Sequence, residues 1–220
     1  DYRRDASPDD SFDIAKRFEM LPSYDDEAFE DFWTGTLDGV PMRLFEAHLQ
    51  EWQGSGKHRR LETVFRGPII TVQFARSFQG VTLVERDGER GGFALFGNKD
   101  QTSAGDVELE RAKMVHPDFE VAFDVWTTDQ AEARYIVHPA YCERLIALEQ
   151  TFRGRKLRAL FLSGEIIILV DTEELFESGS LDAQQDRART EETINQFVSL
   201  AELAKALNER ISQQNMELVT

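Results

Sequence analysis

Apolar and polar residues alternate along much of the chain with a period of two, which is the pattern of half-buried strands. After Asp38-Gly39, the side chains of Val40, Met42 and Leu44 share one face, and an Asp-Gly pair favours a tight hairpin because both positions adopt positive φ. Residues 166–170 are continuously apolar, which predicts a central strand covered on both faces. Segments of these kinds, bounded by turn residues, predict strands at 31–37, 40–50, 60–66, 69–74, 81–85, 93–96, 120–126, 156–162 and 165–170.

Apolar residues at helical spacing predict two main helices that pack on this sheet. One begins at Pro139, since proline is favoured in the first turn, and Gly154 is placed to end it. Thr190 caps the other, whose apolar face continues to Ile211. The predicted fold class is therefore α+β, a hairpin-rich, largely antiparallel sheet packed by two main helices including a long C-terminal helix. The buried stripe of the first helix is predicted to be Tyr141, Leu145, Leu148 and Phe152.

Three shorter helical segments are also predicted. Ser11 is placed to cap a helix over 11–20, and the apolar spacing over 107–115 indicates a second one. Asp129 and Glu132 have the spacing of a capping box, with Asp in place of the usual Ser or Thr, which marks the start of a third.

The pattern predicts a domain organisation with a single main unit. Residues 1–28 form an N-terminal polar segment with a short helix, 29–214 form one α+β domain, and 215–220 form a tail. The alternative is that the main unit consists of two β-rich halves that meet near 98–106. Because the chain begins with Asp1 rather than Met, we expect it to be a fragment of a longer product.

The formal net charge of −16 is the strongest compositional feature of the chain. It argues against a nucleic-acid partner, because binding to a polyanion requires clustered Lys and Arg that displace counterions. The single cysteine excludes an intramolecular disulfide, and no apolar run reaches the roughly 18 residues that a membrane span needs. A soluble globular domain is therefore expected.

Two short basic runs interrupt this acidic chain, at 57–60 and 153–158. Such runs are candidates for contact with an anionic lipid surface. The alternative is that they are ordinary exposed cations in turns and strand ends. The candidate binding residues from these runs are Lys57, Arg59, Arg60, Arg155 and Lys156.

A polar cluster at the start of the third short helix supplies two more candidates, Arg134 and Tyr135. A guanidinium is suited to a carboxylate or phosphate, so Arg134 could receive an anionic ligand. The alternative is a structural network in which Arg134 pairs with a carboxylate and Glu132 caps the helix.

No catalytic or metal-binding set is predicted. The four histidines have no metal-site spacing, and Gly54-Ser55-Gly56-Lys57 lacks the flanking residues of a phosphate-binding loop. Cys142 is expected to be a small residue beside a buried stripe rather than a nucleophile. We therefore predict no catalytic residues, no metal and no cofactor.

Six segments, in order along the chain, carry a family resemblance. They are Leu21-Pro22-Ser23-Tyr24-Asp25; Gly35-Thr36-Leu37-Asp38-Gly39-Val40-Pro41 with Glu46-Ala47-His48-Leu49; Gly54-Ser55-Gly56-Lys57; Val64-Phe65-Arg66-Gly67; Asp129-Gln130-Ala131-Glu132-Ala133-Arg134-Tyr135 with Pro139 and Glu143-Arg144-Leu145; and 171–177. Together these segments resemble the bacterial domain-of-unknown-function family numbered 3137. The resemblance implies that the chain is the soluble C-terminal part of a bacterial protein anchored in the inner membrane, with this domain on the cytoplasmic side. No catalytic or binding residues follow from it, because the family has none assigned.

The functional hypothesis from the sequence is a non-enzymatic interaction or ligand-binding module whose partner is a protein. One alternative is an enzyme, for example a hydrolase, with a site assembled from distant residues. The other is peripheral binding to anionic lipid through the basic runs.

Overall fold

The fold is described from a computed structural model, which contains one sheet of ten strands in the part of the chain that it describes. The described residues are 1–4, 7–37, 39–74, 77–89, 100–114, 117–154, 156–172, 191, 194–196, 198–200 and 202–203. The strands are β1 Tyr2–Arg3, β2 Asp26–Leu37, β3 Val40–Gln53, β4 Arg60–Gln73, β5 Thr82–Arg86, β6 Gln101–Ala104, β7 Val107–Arg111, β8 Phe123–Thr127, β9 Lys156–Leu162 and β10 Glu165–Asp171. The helices are α1 Asp10–Arg17, α2 Pro117–Ala122, α3 Gln130–Ile136 and α4 Pro139–Thr151.

The hairpin β9–β10 joins the two sides of the sheet. The strand order is β1-β2-β3-β4-β10-β9-β5-β8-β7-β6, and every described strand pair is antiparallel. Strand β10 pairs with β4 on one side and β9 on the other, with Ile168 opposite Ile70 and Ala159. The prediction of a central, covered strand at 166–170 is therefore confirmed.

Both faces of the sheet are covered by hydrophobic residues. On β10, Ile166, Ile168 and Val170 belong to the core under α3 and α4, whereas Ile167 and Leu169 belong to the core that includes α1. Alternation of side chains across a strand explains why one apolar run contributes to two cores.

The predicted fold class is wrong in its balance of sheet and helix. One large antiparallel sheet dominates, and the longest described helix, α4, has 13 residues. The described residues contain no long C-terminal helix. They are helical at 191, 194–196, 198–200 and 202–203, and the rest of the predicted helix lies outside them. The physical reason is that apolar periodicity indicates local helical spacing but not how far a helix continues.

Two local predictions are also wrong. The predicted helix at 107–115 is instead strand β7, which forms an edge hairpin with β6 around Gly105 at φ 60°. The predicted strand at 120–126 begins later, because α2 occupies the residues before Phe123. Both segments are so short that their apolar spacing fits a helix as well as a strand. Pairing with neighbouring strands therefore determines which of the two forms. The predicted strand at 93–96 lies outside the described residues.

One helix begins at the predicted residue, and another is capped by a different residue from the one predicted. Helix α4 begins at Pro139, as predicted. Helix α1 is capped by Asp9 rather than Ser11: the Asp9 carboxylate accepts a hydrogen bond from the Ser11 amide at 3.0 Å. Either residue type can cap a helix, so the sequence alone did not distinguish them.

Candidate anion-binding cleft

An open cleft of about 320 Å³ lies between the β6–β7 edge of the sheet and the start of α3. We call it the Arg134 cleft. Its lining is entirely polar or charged, which distinguishes it from the two apolar cores. The lining residues are Asp100, Gln101, Glu110, Arg111, Lys113, Gln130 and Arg134.

The cap of α3 positions one wall of the cleft. The Asp129 carboxylate accepts hydrogen bonds from the amides of Ala131 and Glu132 at 2.9 and 3.0 Å, which fixes where the helix begins. Gln130 and Arg134 are then one turn apart, so their side chains share a face of the helix. On the opposite wall, the Ala112 amide donates to the Val125 carbonyl at 2.7 Å and holds the chain that leaves β7 against β8.

Arg134 has only neutral hydrogen-bond partners among the described residues. Its Nη2 donates to Gln130 Oε1 at 3.2 Å, and its Nε donates to the Lys113 carbonyl at 3.4 Å. The predicted alternative, a structural network in which Arg134 pairs with a carboxylate, is not found there. Glu132 does not close the capping box either; its carboxylate accepts from the amides of Gln79 and Gly80 at 2.9 and 2.8 Å.

The other cations of the cleft differ in how far they are already neutralised. Arg111 forms ion pairs with Asp124, which is buried, and with Asp87, where the two atoms are 3.6 Å apart. Lys113 is exposed and forms no ion pair within the described part of the chain. Neither Lys113 nor Arg134 forms an ion pair with a described carboxylate, and the carboxylates of Asp100 and Glu110 line the same cleft. The guanidinium of Arg134 can form paired hydrogen bonds with a carboxylate or phosphate.

The structure separates the predicted binding residues. Only Arg134 lines the cleft; Tyr135 is half-buried and packs against the core under α3 and α4. Lys156 begins β9, where its Nζ is 3.9 Å from Glu89. Arg155 lies outside the described residues. Lys57, Arg59 and Arg60 are at the turn between β3 and β4.

Sequence reasoning missed Lys113 and Arg111 as companions of Arg134. Arg111 ends β7 and Lys113 follows it. Because this segment was predicted to be helical, the sequence did not indicate that these two residues lie close to α3. The spacing of Gln130 and Arg134 on one helix was a usable signal.

A carboxyl group with a raised pKa lies elsewhere in the sheet, outside the Arg134 cleft. Glu46 on β3 is 2% exposed, and Arg66 Nε donates to its Oε1 at 3.2 Å. Burial raises the Glu46 pKa to about 7 despite the lowering effect of Arg66, and the nearby charges of Glu30 and Asp31 raise it further. Glu30 is directly opposite Glu46 on β2.

Replacing Glu46 with Gln should flatten the dependence of stability on pH. The folded-state pKa lies above the ordinary value of 4.5, so the native state binds the proton more tightly and loses stability as pH rises from 4.5 through 7. We expect Glu46→Gln to gain about 1–3 kcal/mol relative to the natural chain between about pH 5 and pH 8. Urea denaturation at several pH values measures this gain. Glu62→Gln is the control, because the Glu62 side chain is 40% exposed, and equal behaviour of the two variants would contradict the prediction.

Neither thiol chemistry nor metal binding is supported by the described residues. Cys142 is buried, and burial raises its pKa to about 12, which suppresses the reactive thiolate. Its predicted place beside a buried stripe is confirmed. Among the described residues, no three His, Cys, Asp or Glu side chains are grouped so that they could hold a metal ion.

Comparisons with known proteins identify a family whose function is unknown. The family model described as "Protein of unknown function (DUF3137)" matches residues 63–209. No curated protein matches the chain. A similar solved structure is that of the mycobacterial trehalose monomycolate transport factor A, with 11% identity, a TM-score of 0.47, and coverage of 94% of this chain and 88% of that chain. Within the described residues, no helix has the length and apolar composition needed to cross a membrane.

Proposed function

The chain belongs to the DUF3137 family of proteins of unknown function, and we propose that it is a non-enzymatic module that binds an anionic ligand in the Arg134 cleft. One observation carries this proposal. Arg134 and Lys113 line an open cleft, and neither pairs with a carboxylate among the described residues. Cations held in this way are suited to a carboxylate or phosphate group of a ligand.

The composition of the cleft favours binding over catalysis. Its lining includes no hydroxyl, thiol or imidazole side chain, so it contains no serine, threonine or cysteine nucleophile and no histidine base. The buried carboxylate with the raised pKa, Glu46, lies on β3 and is not part of the lining. An enzyme would be expected to place such a group in its cleft.

The family resemblance of the sequence supports a location for this module at a membrane. We propose that it is held on the cytoplasmic side of a bacterial inner membrane and that a protein partner responds to its ligand state. The cleft is built from a sheet edge and a helix start, so a partner that contacts this edge would sense whether the cleft is filled.

Phosphate binding by the intact chain tests the proposal. Inorganic phosphate, titrated at constant ionic strength with chloride as the reference anion, should shift the nuclear magnetic resonance signals of Arg134 and of the residues around it. Arg134→Gln should weaken this binding roughly tenfold or more, because a charge-assisted pair of hydrogen bonds is lost.

Arg144→Gln is the matched control, since Arg144 is exposed on α4 and pairs with Glu202 instead of lining the cleft. Binding that survives Arg134→Gln, or equal shifts with chloride and phosphate, would contradict an anion site in the Arg134 cleft.

A further inference from the structure

The hairpin of β3 and β4 extends well beyond its neighbours. Strand β10 pairs with β4 only from Ile69 to Gln73, and β2 pairs with β3 only as far as Gln50. From Glu51 to Glu62 the hairpin has no other strand beside it among the described residues. At about 3.3 Å per residue, the turn is roughly 20 Å or more from the last pair of β4 with β10. We call residues 51–62 the hairpin tip.

The hairpin tip exposes an aromatic side chain together with cations. Trp52 is 44% exposed, and the guanidinium of Arg59 lies 4.9 Å from the centre of its ring. Lys57 is exposed in the turn, and neither Lys57 nor Arg59 forms an ion pair with a described carboxylate. Arg60 pairs with Glu62 on its own strand.

The charge of the tip is opposite to that of the chain. The tip contains Lys57, Arg59 and Arg60 against Glu51 and Glu62, whereas the whole chain has a formal net charge of −16. An anionic surface would repel most of this protein and attract the tip, so the charge distribution orients the hairpin toward such a surface. Salt would weaken this attraction, because the groups are exposed.

We infer that the hairpin tip docks on the surface of an anionic lipid bilayer. Tryptophan favours the interface between headgroups and acyl chains, since its ring is apolar and its N–H is polar, and Trp52 is the residue placed to insert there. Lys57 and Arg59 then meet the lipid phosphates. Because the hairpin tip projects from the sheet, its exposed side chains can reach a flat bilayer surface, and the ring of Trp52 can insert into it.

The residues of the two basic runs lie at separate places in the fold, and none of the described ones lines the Arg134 cleft. Lys57, Arg59 and Arg60 lie on the projecting tip. Lys156, from the second basic run, begins β9 inside the sheet and approaches Glu89. The two basic runs therefore do not form one patch in the described structure.

Tryptophan fluorescence of the complete chain on vesicles tests the docking. Trp126 is buried and Trp33 is half-buried, so a blue shift on binding reports mainly on the exposed Trp52. With vesicles of equal parts phosphatidylglycerol and phosphatidylcholine at low salt, we expect binding and a blue shift. Pure phosphatidylcholine vesicles should give neither. Trp52→Phe should abolish the shift, and Lys57→Glu should weaken partitioning roughly tenfold or more.

Arg144→Glu is the charge-matched control, because Arg144 is an exposed cation on α4, outside both the hairpin tip and the Arg134 cleft. It should leave vesicle binding unchanged, while circular dichroism confirms that each variant is folded. Binding that survives Lys57→Glu, or that is lost instead in Arg144→Glu, would overturn the tip as the docking site. Absence of any anionic preference would also overturn it and favour a protein as the occupant of the tip.

Discussion

Replacing Arg86 with alanine is expected to lower the free energy of unfolding by about 3–5 kcal/mol, because it leaves the carboxylate of Glu149 buried without its counter-charge. Glu149 is 3% exposed on α4, and Arg86 Nε donates to its Oε1 at 3.0 Å while Nη2 pairs with Oε2. The same Oε1 accepts the Leu157 amide at 3.0 Å. This carboxylate therefore ties α4 to both β5 and β9.

Two further variants distinguish charge from packing. Adding Glu149→Gln to Arg86→Ala should recover part of the loss, since the buried charge is then removed. Arg17→Ala is the control, because its pair with Asp106 is exposed on both sides and its loss should change stability little. Urea denaturation measures all three variants, and a loss below about 1 kcal/mol for Arg86→Ala would contradict the prediction.

Replacing Leu145 with alanine should cost about 2–5 kcal/mol, the usual range for a core leucine. Leu145 is fully buried on α4, in the same core as Leu148 and Tyr141. The loss combines the transfer of the removed atoms to water with the cavity that remains, and close packing against the sheet limits collapse.

Val121→Ala is the matched control, because Val121 is an aliphatic residue in a helix but is 80% exposed. Thermal and urea denaturation should show little change for this variant. If Leu145→Ala behaved like Val121→Ala, with a loss under about 0.5 kcal/mol, the buried face of α4 would be assigned incorrectly.

The helix tested by Leu145 was visible in the sequence because its signals are local. A proline at the first position, an apolar stripe and the glycine at 154 all lie within one segment, and the structure places the helix at Pro139–Thr151. The hairpin at Asp38-Gly39 was visible for the same reason: β2 ends and β3 begins on either side of it.

The candidate cleft was only partly accessible from the sequence. Arg134 is predictable as a candidate because a guanidinium is suited to a carboxylate or phosphate. Lys113 is not, because the segment 107–115 was predicted as a helix and the distance between β7 and α3 depends on the order of strands. The raised pKa of Glu46 was equally hidden, since it results from burial by neighbouring strands.

The sequence by itself determined the acidic character, the absence of an intramolecular disulfide, most of the hairpins, the central strand at 166–170 and the start of α4. These follow from residue types and periodicities within a few positions of one another. Only the tertiary structure decided that β10 lies between β4 and β9, that the sheet outweighs the helices, that Arg134 faces Lys113 and that Trp52 projects on a hairpin tip. Strand order and burial depend on contacts between residues far apart in the chain, and a local pattern carries no information about which distant segment will supply them.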